Sequence, residues 1–210
     1  MTAKAAPSPL ALAVLGLLCG GPLHPYRMQR LLKEWGKDQV INVGQRSSLY
    51  KTIKRLHETG LIAVRHTERG HQYPERTVYE LTEDGQSTVF AWLTELISVP
   101  RKEFPQFPAA LSFLMLLGPD AATASLQRRA ESLRGELATI DTQLEQEAAE
   151  LPRVTMLETE YQRAVLAAEL VWVDRVAAEL ASGDLSWSHE DFSGAADAYR
   201  LDESVPSDAR

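Results

Sequence analysis

The chain has 210 residues, of which 44% are hydrophobic and 24% charged, and its formal net charge is −7 at pH 7. This length allows one domain with a sizeable core and an appendage, or two small domains, and the composition is that of an ordinary soluble protein. The single cysteine, Cys19, excludes an internal disulfide and favours a reducing, cytoplasmic setting.

The N-terminal segment MTAKAAPSPLALAVLGLLCGG has the apolar run of a secretory or lipoprotein signal. We reject that interpretation because Leu18, directly before Cys19, is too large for signal cleavage. The run is also far shorter than the roughly 20 residues of a membrane span. Ser8 followed by Pro9 is typical of a helix start, with a capping hydroxyl and a proline at the first helical position. A buried first helix is therefore predicted, and no segment is expected to cross a membrane.

Two further helices follow in the sequence. Pro25 is predicted to open the second, and His24 is expected to assist the turn into it rather than to bind a metal. The third is predicted to start with Ser47 or Ser48 as its N-cap and to stop at Gly60.

The third helix has two different faces when its residues are placed at about 100° intervals. The apolar face carries Leu49, Ile53 and Leu56, and the opposite face carries Ser47, Lys51, Lys54 and Arg55. A solvated helix surface is the simplest interpretation of such a basic face. The alternative is a face that meets a polyanion.

Next come two short runs rich in β-branched and aromatic residues, LIAVRHT and TVYEL, separated by the nine residues ERGHQYPER. They predict an antiparallel hairpin with a long exposed tip. Arg65, Arg69, Gly70 and Arg76 lie on or near this tip, where they could contact a DNA backbone or minor groove. Thr82 is then predicted to cap a fourth helix.

The resulting order is helix, helix, helix, strand, strand, helix, which is that of a winged helix-turn-helix, whose third helix enters the major groove of DNA. The charge distribution agrees with this interpretation. Residues 1–98 contain 12 Lys and Arg against 9 Asp and Glu, whereas residues 99–210 contain 10 against 20. A polyanion would therefore meet the N-terminal half.

The N-terminal half also resembles the PadR family of bacterial transcriptional regulators. The motifs that carry the resemblance are LAVLGLL, GPLHPY, SLYKTIKRLHETGLI and VYELTEDG, in this order, over about residues 10–95. The resemblance implies that Ser48, Tyr50 and Lys51 contact DNA, with the Tyr50 hydroxyl at a phosphate. The alternative for Tyr50 is an aromatic side chain that braces the helix.

The second half is predicted to be helical. After a linker over residues 99–108 we expect a helical domain over 109–182 and an acidic tail over 183–210. Its helices are predicted at about 109–117, 121–151 and 154–181, and the last has two adjacent apolar stripes, one of which is left without an intrachain partner. A second copy of the chain would cover it, and the family resemblance implies the same; a closed monomeric bundle is the alternative. The predicted dimerisation residues are Leu126, Leu133, Leu137, Ile140, Leu144, Leu166, Leu170, Val173, Ala177 and Leu180.

No catalytic or metal-binding constellation is apparent, so we predict neither an enzyme nor a cofactor or metal. Some PadR family members respond to phenolic acids or hydrophobic drugs, and the aromatic side chains that could line such a pocket here are Trp35, Trp92, Phe113 and Trp172. Aromatic residues at helical spacing are otherwise part of a core.

The sequence thus predicts a mainly α-helical protein with a small two-stranded wing, which binds double-stranded DNA as a homodimer. The predicted role is a repressor at a pseudo-palindromic operator, released by a small aromatic or hydrophobic ligand. A regulator that responds to phosphorylation or to its own abundance is a competing hypothesis. An adaptor that binds other proteins through its helices and keeps the winged helix as a scaffold is another.

Overall fold

A computed structural model describes residues 7–42, 46–70, 73–188 and 191, without the side chains of residues 39, 46, 67–70 and 73–76. The chain divides into two compact units, Met1–Lys102 and Glu103–Arg210. This division falls inside the segment that the sequence marks as a linker.

The first unit contains four helices and a hairpin, in the predicted order. Its elements are α1 (Pro9–Cys19), α2 (Pro25–Glu34), α3 (Arg46–Glu58), β1 (Ile62–Gly70), β2 (Tyr73–Leu81) and α4 (Glu83–Ser98), with a short 3-10 helix at Lys37–Gln39. The prediction of a mainly α-helical chain with a small antiparallel sheet is confirmed.

Side-chain caps start three of these helices, as the sequence predicts. The Ser8 hydroxyl accepts a hydrogen bond from the Ala11 amide at 3.2 Å, and His24 Nδ1 accepts one from the Tyr26 amide at 3.1 Å. Each cap satisfies an amide that the helix itself leaves without a partner. His24 therefore has the capping role expected of it.

The start of α3 differs from the prediction. The helix already begins at Arg46, so Ser47 and Ser48 lie in its first turn instead of at the N-cap. Serine is compatible with either position, and its presence alone does not fix where helical backbone angles begin.

The end of α3 is a Schellman motif, which confirms the predicted stop at Gly60. Gly60 has φ of 74°, its amide donates to the His57 carbonyl at 3.0 Å, and the Leu61 amide donates to the Leu56 carbonyl at 3.0 Å. Leu56 and Leu61 are both buried and make the apolar contact that accompanies this motif. The chain thereby leaves α3 directly into the hairpin.

The hairpin is longer than predicted. Strands β1 and β2 pair in antiparallel fashion as far as Gly70 and Tyr73, through most of the segment expected to be a loop. Both strands of a two-stranded sheet have an open edge, where Pro74 can be accommodated without losing a ladder hydrogen bond. Leu23 pairs with Tyr79 by two backbone hydrogen bonds of 2.9 and 3.0 Å, so the segment before α2 also joins the hairpin.

One core holds the first unit together. Its fully buried side chains come from α1, α2, α3, β1 and α4; the largest are Leu15, Met28, Leu49, Ile53, Leu56, Ile62 and Val89. Burying aliphatic side chains of this size contributes roughly 1.5–3 kcal/mol each. The inner face of α3 is therefore fixed by packing.

Thr82 joins the hairpin to α4 and the end of α3. Its hydroxyl accepts from the Gly85 amide at 3.0 Å and lies 2.8 Å from the Gly60 carbonyl and 3.0 Å from the Leu61 carbonyl. We expect Thr82→Val to lower the free energy of unfolding by about 1–2 kcal/mol, because it removes the cap and these contacts. Urea denaturation measures this. Thr82→Ser keeps the hydroxyl, and its free energy of unfolding should fall by less than half as much. Equal losses in the two variants would contradict the stabilising role of the hydroxyl.

The second unit is a helical hairpin with short flanking helices. Its elements are α5 (Gln106–Leu111), α6 (Pro119–Glu147) and α7 (Leu157–Ser182), with short 3-10 helices at Leu114–Leu116 and Arg153–Met156. Helix α5 is shorter and starts earlier than the helix predicted at 109–117. Helix α6 ends at Glu147, before the predicted 151, and α7 starts at Leu157, after the predicted 154. The break between them contains Pro152, which disfavours helical backbone angles in the residue before it.

Helices α6 and α7 share an apolar core and ion pairs that join the two helices. Arg134 Nη2 lies 2.7 and 2.8 Å from the two carboxylate oxygens of Asp174, and Arg163 pairs with Asp141. The hydrogen bond from Arg163 holds the pKa of the Asp141 carboxyl below its ordinary value. These exposed pairs join the two helices at their surface, while the apolar core between the helices supplies most of the stability.

Within the described residues, no helix is both long and apolar enough to span a bilayer. Most of the predicted acidic tail lies outside the described residues. Of the part that is described, Trp187 donates its indole N–H to the Leu117 carbonyl at 2.8 Å and packs against the core of the second unit.

Candidate nucleic-acid interface

The outward face of α3 carries the predicted basic residues. Lys51, Lys54 and Arg55 are exposed, and so is Ser47, while Ser48 is half-buried. Tyr50 is 50% exposed, which leaves much of the ring at the surface. Because Leu49, Ile53 and Leu56 are anchored in the core, the helix presents these polar side chains to solvent as one group.

The cations of this face differ in their partners. Lys54 Nζ lies 3.7 Å from Oε1 of Glu58, one turn along the helix. Within the described part of the chain, no carboxylate oxygen lies within 4.0 Å of the Lys51 or Arg55 charged groups. Among the Lys and Arg side chains of α3 that are described, these two are therefore available to an anion without displacing a described carboxylate.

The hairpin contributes a second basic element next to α3. The rings of His57 on α3 and Tyr79 on β2 meet edge to face, with centroids 6.1 Å apart, and tie the helix to the wing. Arg65 Nη1 lies 3.6 Å from Oε2 of Glu80. Arg65 is also the extra residue of a β-bulge, since Val64 is opposite Tyr79 and His66 is opposite Val78.

The remaining predicted wing residues are placed by their backbone alone. Gly70 is opposite Tyr73, and Arg76 is opposite Glu68, near the end of the hairpin. The side chains of Arg69 and Arg76 lie outside the described residues, and DNA contacts by these positions stay a prediction.

The four aromatic side chains proposed for an effector pocket divide between the two units. Trp92 is 4% exposed and belongs to the core of the first unit, whereas Trp35 in the same unit is 56% exposed. Phe113 and Trp172 belong to the second unit, where Trp172 meets the ring of Phe107 edge to face at 6.0 Å. A shared ligand pocket formed by all four stays a prediction.

The predicted dimerisation residues lie mostly inside the hairpin of the second unit. The buried or packed members are Leu126, Leu133, Leu166, Leu170, Val173, Ala177 and Leu180, with Ile140 buried further along α6 and Leu137 and Leu144 half-buried. They stabilise the α6–α7 hairpin of a single chain. A role for them between two chains stays a prediction.

Two features of this site were missed by sequence reasoning. Glu58 follows Lys54 by four residues, a spacing that predicts a helical ion pair, so the sequence contained a signal for it. Glu80 is 15 positions from Arg65, and the pairing of β1 with β2 brings the two together.

No group of three or more His, Cys, Asp or Glu side chains that could hold a metal ion occurs among the residues whose placement is described.

Comparison with known proteins identifies the domain. Residues 14–90 match the Transcriptional regulator PadR-like family. No curated protein matches the chain in sequence. Among solved structures, Bacillus subtilis PadR in complex with operator DNA is 20% identical, with a TM-score of 0.67, over 83% of this chain and 99% of that one.

Two other structures give the same result. PadR of Bacillus subtilis in complex with p-coumaric acid is 20% identical, with a TM-score of 0.67, over 81% of this chain and 98% of that one. The Vibrio cholerae virulence activator AphA is 18% identical, with a TM-score of 0.62, over 82% of this chain and 98% of that one. At these identities the similarity shows a shared fold, in which a winged helix precedes C-terminal helices. Residues 14–90 are therefore a PadR-like domain, similar to that of the transcriptional regulators of this family.

Proposed function

We propose that this protein is a homodimeric transcriptional repressor that acts in the cytoplasm on a pseudo-palindromic operator. The observation that supports this most strongly is the face of α3. Its inner side is fixed in the core, and its outer side presents Lys51 and Arg55 without a described carboxylate partner. Cations held in this way can pair with phosphates or with acceptor atoms on guanine. The similar fold of Bacillus subtilis PadR, solved with operator DNA, supports the same role.

The proposed dimer would use the outer stripe of α7. We define this outer stripe as Leu157, Tyr161, Val165, Ala168 and Trp172. All five are exposed, Tyr161 by 73% of its surface, although they recur at three- and four-residue intervals. Such spacing is typical of a helix that packs against another helix, and a second copy would bury both stripes by the same contact. A dimer also lets two α3 helices read two half-sites.

We expect Tyr161→Glu combined with Val165→Glu to produce a monomer, because it would place charges in the proposed interface. The dimer dissociation constant should rise by at least about 100-fold, as expected for loss of central contacts. Sedimentation equilibrium measures it. Ala178→Glu adds a charge to an exposed position on another face of α7 and should leave the dimer intact. Persistence of a wild-type-like dimer in the double variant would contradict the proposed interface.

A small aromatic or hydrophobic ligand would release the DNA in this proposal. The support for it is the structure of Bacillus subtilis PadR with p-coumaric acid, together with the aromatic side chains Trp35, Phe113 and Trp172 exposed on this chain. Loss of DNA binding on addition of such a compound to the purified protein would separate this mode of control from control by protein abundance.

The function is tested by selecting binding sites from random-sequence DNA with the purified full chain. We expect a two-fold related sequence whose binding weakens steeply with added salt, as phosphate contacts require. Tyr50→Ala should lower the affinity for the selected sequence, because the exposed ring of Tyr50 lies at the start of α3. Recovery of no preferred sequence would contradict the proposal and would favour a protein partner for the helical unit.

A further inference from the structure

We propose that Glu58 and Glu80 determine how strongly this protein distinguishes its operator from other DNA. Their carboxylates occupy two cations of the DNA-binding surface and weaken binding to DNA of arbitrary sequence. This inference rests on the proposed function, because it assigns these residues a role at the same surface.

The first pair lies on α3 itself. Glu58 Oε1 is 3.7 Å from Lys54 Nζ, and the side chains of Lys54 and Glu58 are 77% and 60% exposed. A phosphate that approaches Lys54 therefore also approaches the Glu58 carboxylate. It must take over from that carboxylate as partner of the ammonium group and then remain close to a like charge.

The second pair joins the two strands of the wing. Arg65 is the additional residue between Val64 and the next paired position of β1, and a bulge of this kind redirects a side chain. Its guanidinium lies within 3.6 Å of the Glu80 carboxylate on β2. Arg65 thus meets DNA only after separating from an acidic partner on the neighbouring strand.

The surface consequently has two kinds of cation. Lys51 and Arg55 have no described carboxylate within 4.0 Å, whereas Lys54 and Arg65 are paired. Binding to arbitrary DNA depends almost entirely on phosphate contacts, so each paired cation reduces it directly. On the operator, base contacts fix the register of the protein. A released cation therefore adds to the operator affinity only where that register places a phosphate within its reach. The carboxylates therefore lower the affinity for arbitrary DNA more than they lower the affinity for the operator.

The test compares the wild type with Glu58→Gln, Glu80→Gln and the double variant on two DNA duplexes. One duplex carries the sequence that the wild type selects from a random pool, and the other is of arbitrary sequence. For the double variant we expect affinity for the arbitrary duplex to rise by at least about tenfold, and the slope of log K against log salt to steepen by up to about 3.6 per dimer. Affinity for the selected duplex should rise less, so the ratio of the two affinities should fall.

Glu95→Gln is the matched control for each single variant. It removes one negative charge and frees an arginine, Arg101, but it lies on α4 and not on α3 or the hairpin. It should change neither affinity by more than about twofold. Circular dichroism of each variant establishes that the fold is retained.

Two outcomes would overturn the inference. One is an unchanged or lower affinity of the double variant for the arbitrary duplex, and the other is an equal rise on both duplexes, which leaves the ratio unaltered. A wild-type chain that selects no sequence at all would instead overturn the proposed function on which the inference rests.

Discussion

Replacing Lys51 and Arg55 by glutamate should reduce operator affinity by at least about 1,000-fold, because a dimer would lose four cations and gain four anions at its DNA-binding surface. The slope of log K against log salt should become shallower by about 3.6, since each lost phosphate contact removes about 0.9. Neither side chain contributes to the core of the first unit, so its fold should be retained. Fluorescence anisotropy of a labelled duplex over a range of salt concentrations measures both quantities.

A matched control makes this result specific to α3. Arg128→Glu combined with Arg175→Glu causes the same change in charge on exposed positions of α6 and α7. It should reduce affinity by far less, since only the long-range field of the protein changes. Equal losses in the two double variants would show that net charge, and not the face of α3, governs binding.

Gly85→Ala should lower the free energy of unfolding of the first unit by more than about 3 kcal/mol, at the upper end of what overpacking costs. A Cβ atom at Gly85 would lie 2.0 Å from the Leu61 carbonyl oxygen and 2.8 Å from Cδ1 of Leu81. The carbonyl belongs to the backbone that links α3 to the wing, and it cannot move aside without moving both. Helix α3 and the hairpin should therefore lose their mutual arrangement, and the first unit should lose stability.

The control for this change is another helical glycine. Gly16 in α1 has no atom within 4 Å of its added Cβ, so Gly16→Ala should stabilise the chain by up to about 1 kcal/mol through helix propensity. Urea denaturation followed by circular dichroism gives both values. A Gly85→Ala variant as stable as the wild type would show that the close approach of α4 to Leu61 is not required.

Many local features of the first unit followed from the sequence because they depend on neighbouring residues. Ser8, His24 and Thr82 cap their helices with side chains only two or three positions from the amides that they satisfy. Gly60 ends α3 because only a residue without Cβ readily adopts its positive φ. The wing was harder to delimit, since cross-strand pairing extended it through a stretch with turn-forming composition.

Long-range contacts decided the packing of α7 and the burial of Trp92. The spacing of α7 predicted two apolar stripes, but only the packing of α6 against α7 showed that Leu166, Leu170 and Val173 face inward and that the outer stripe stays exposed. Trp92 is an aromatic residue that could line a ligand pocket, but its surroundings are those of a core residue.

The sequence by itself determined the order of elements, the caps and the two faces of α3, because helical and strand periodicity and capping are properties of residues close together in the chain. Only the tertiary structure decided that Arg65 has an acidic partner, which stripe of α7 is covered and why residue 85 must be glycine. Each of these depends on atoms from segments far apart in sequence. Their meeting is set by the register of β1 with β2 and by the packing of helices, which no local pattern encodes.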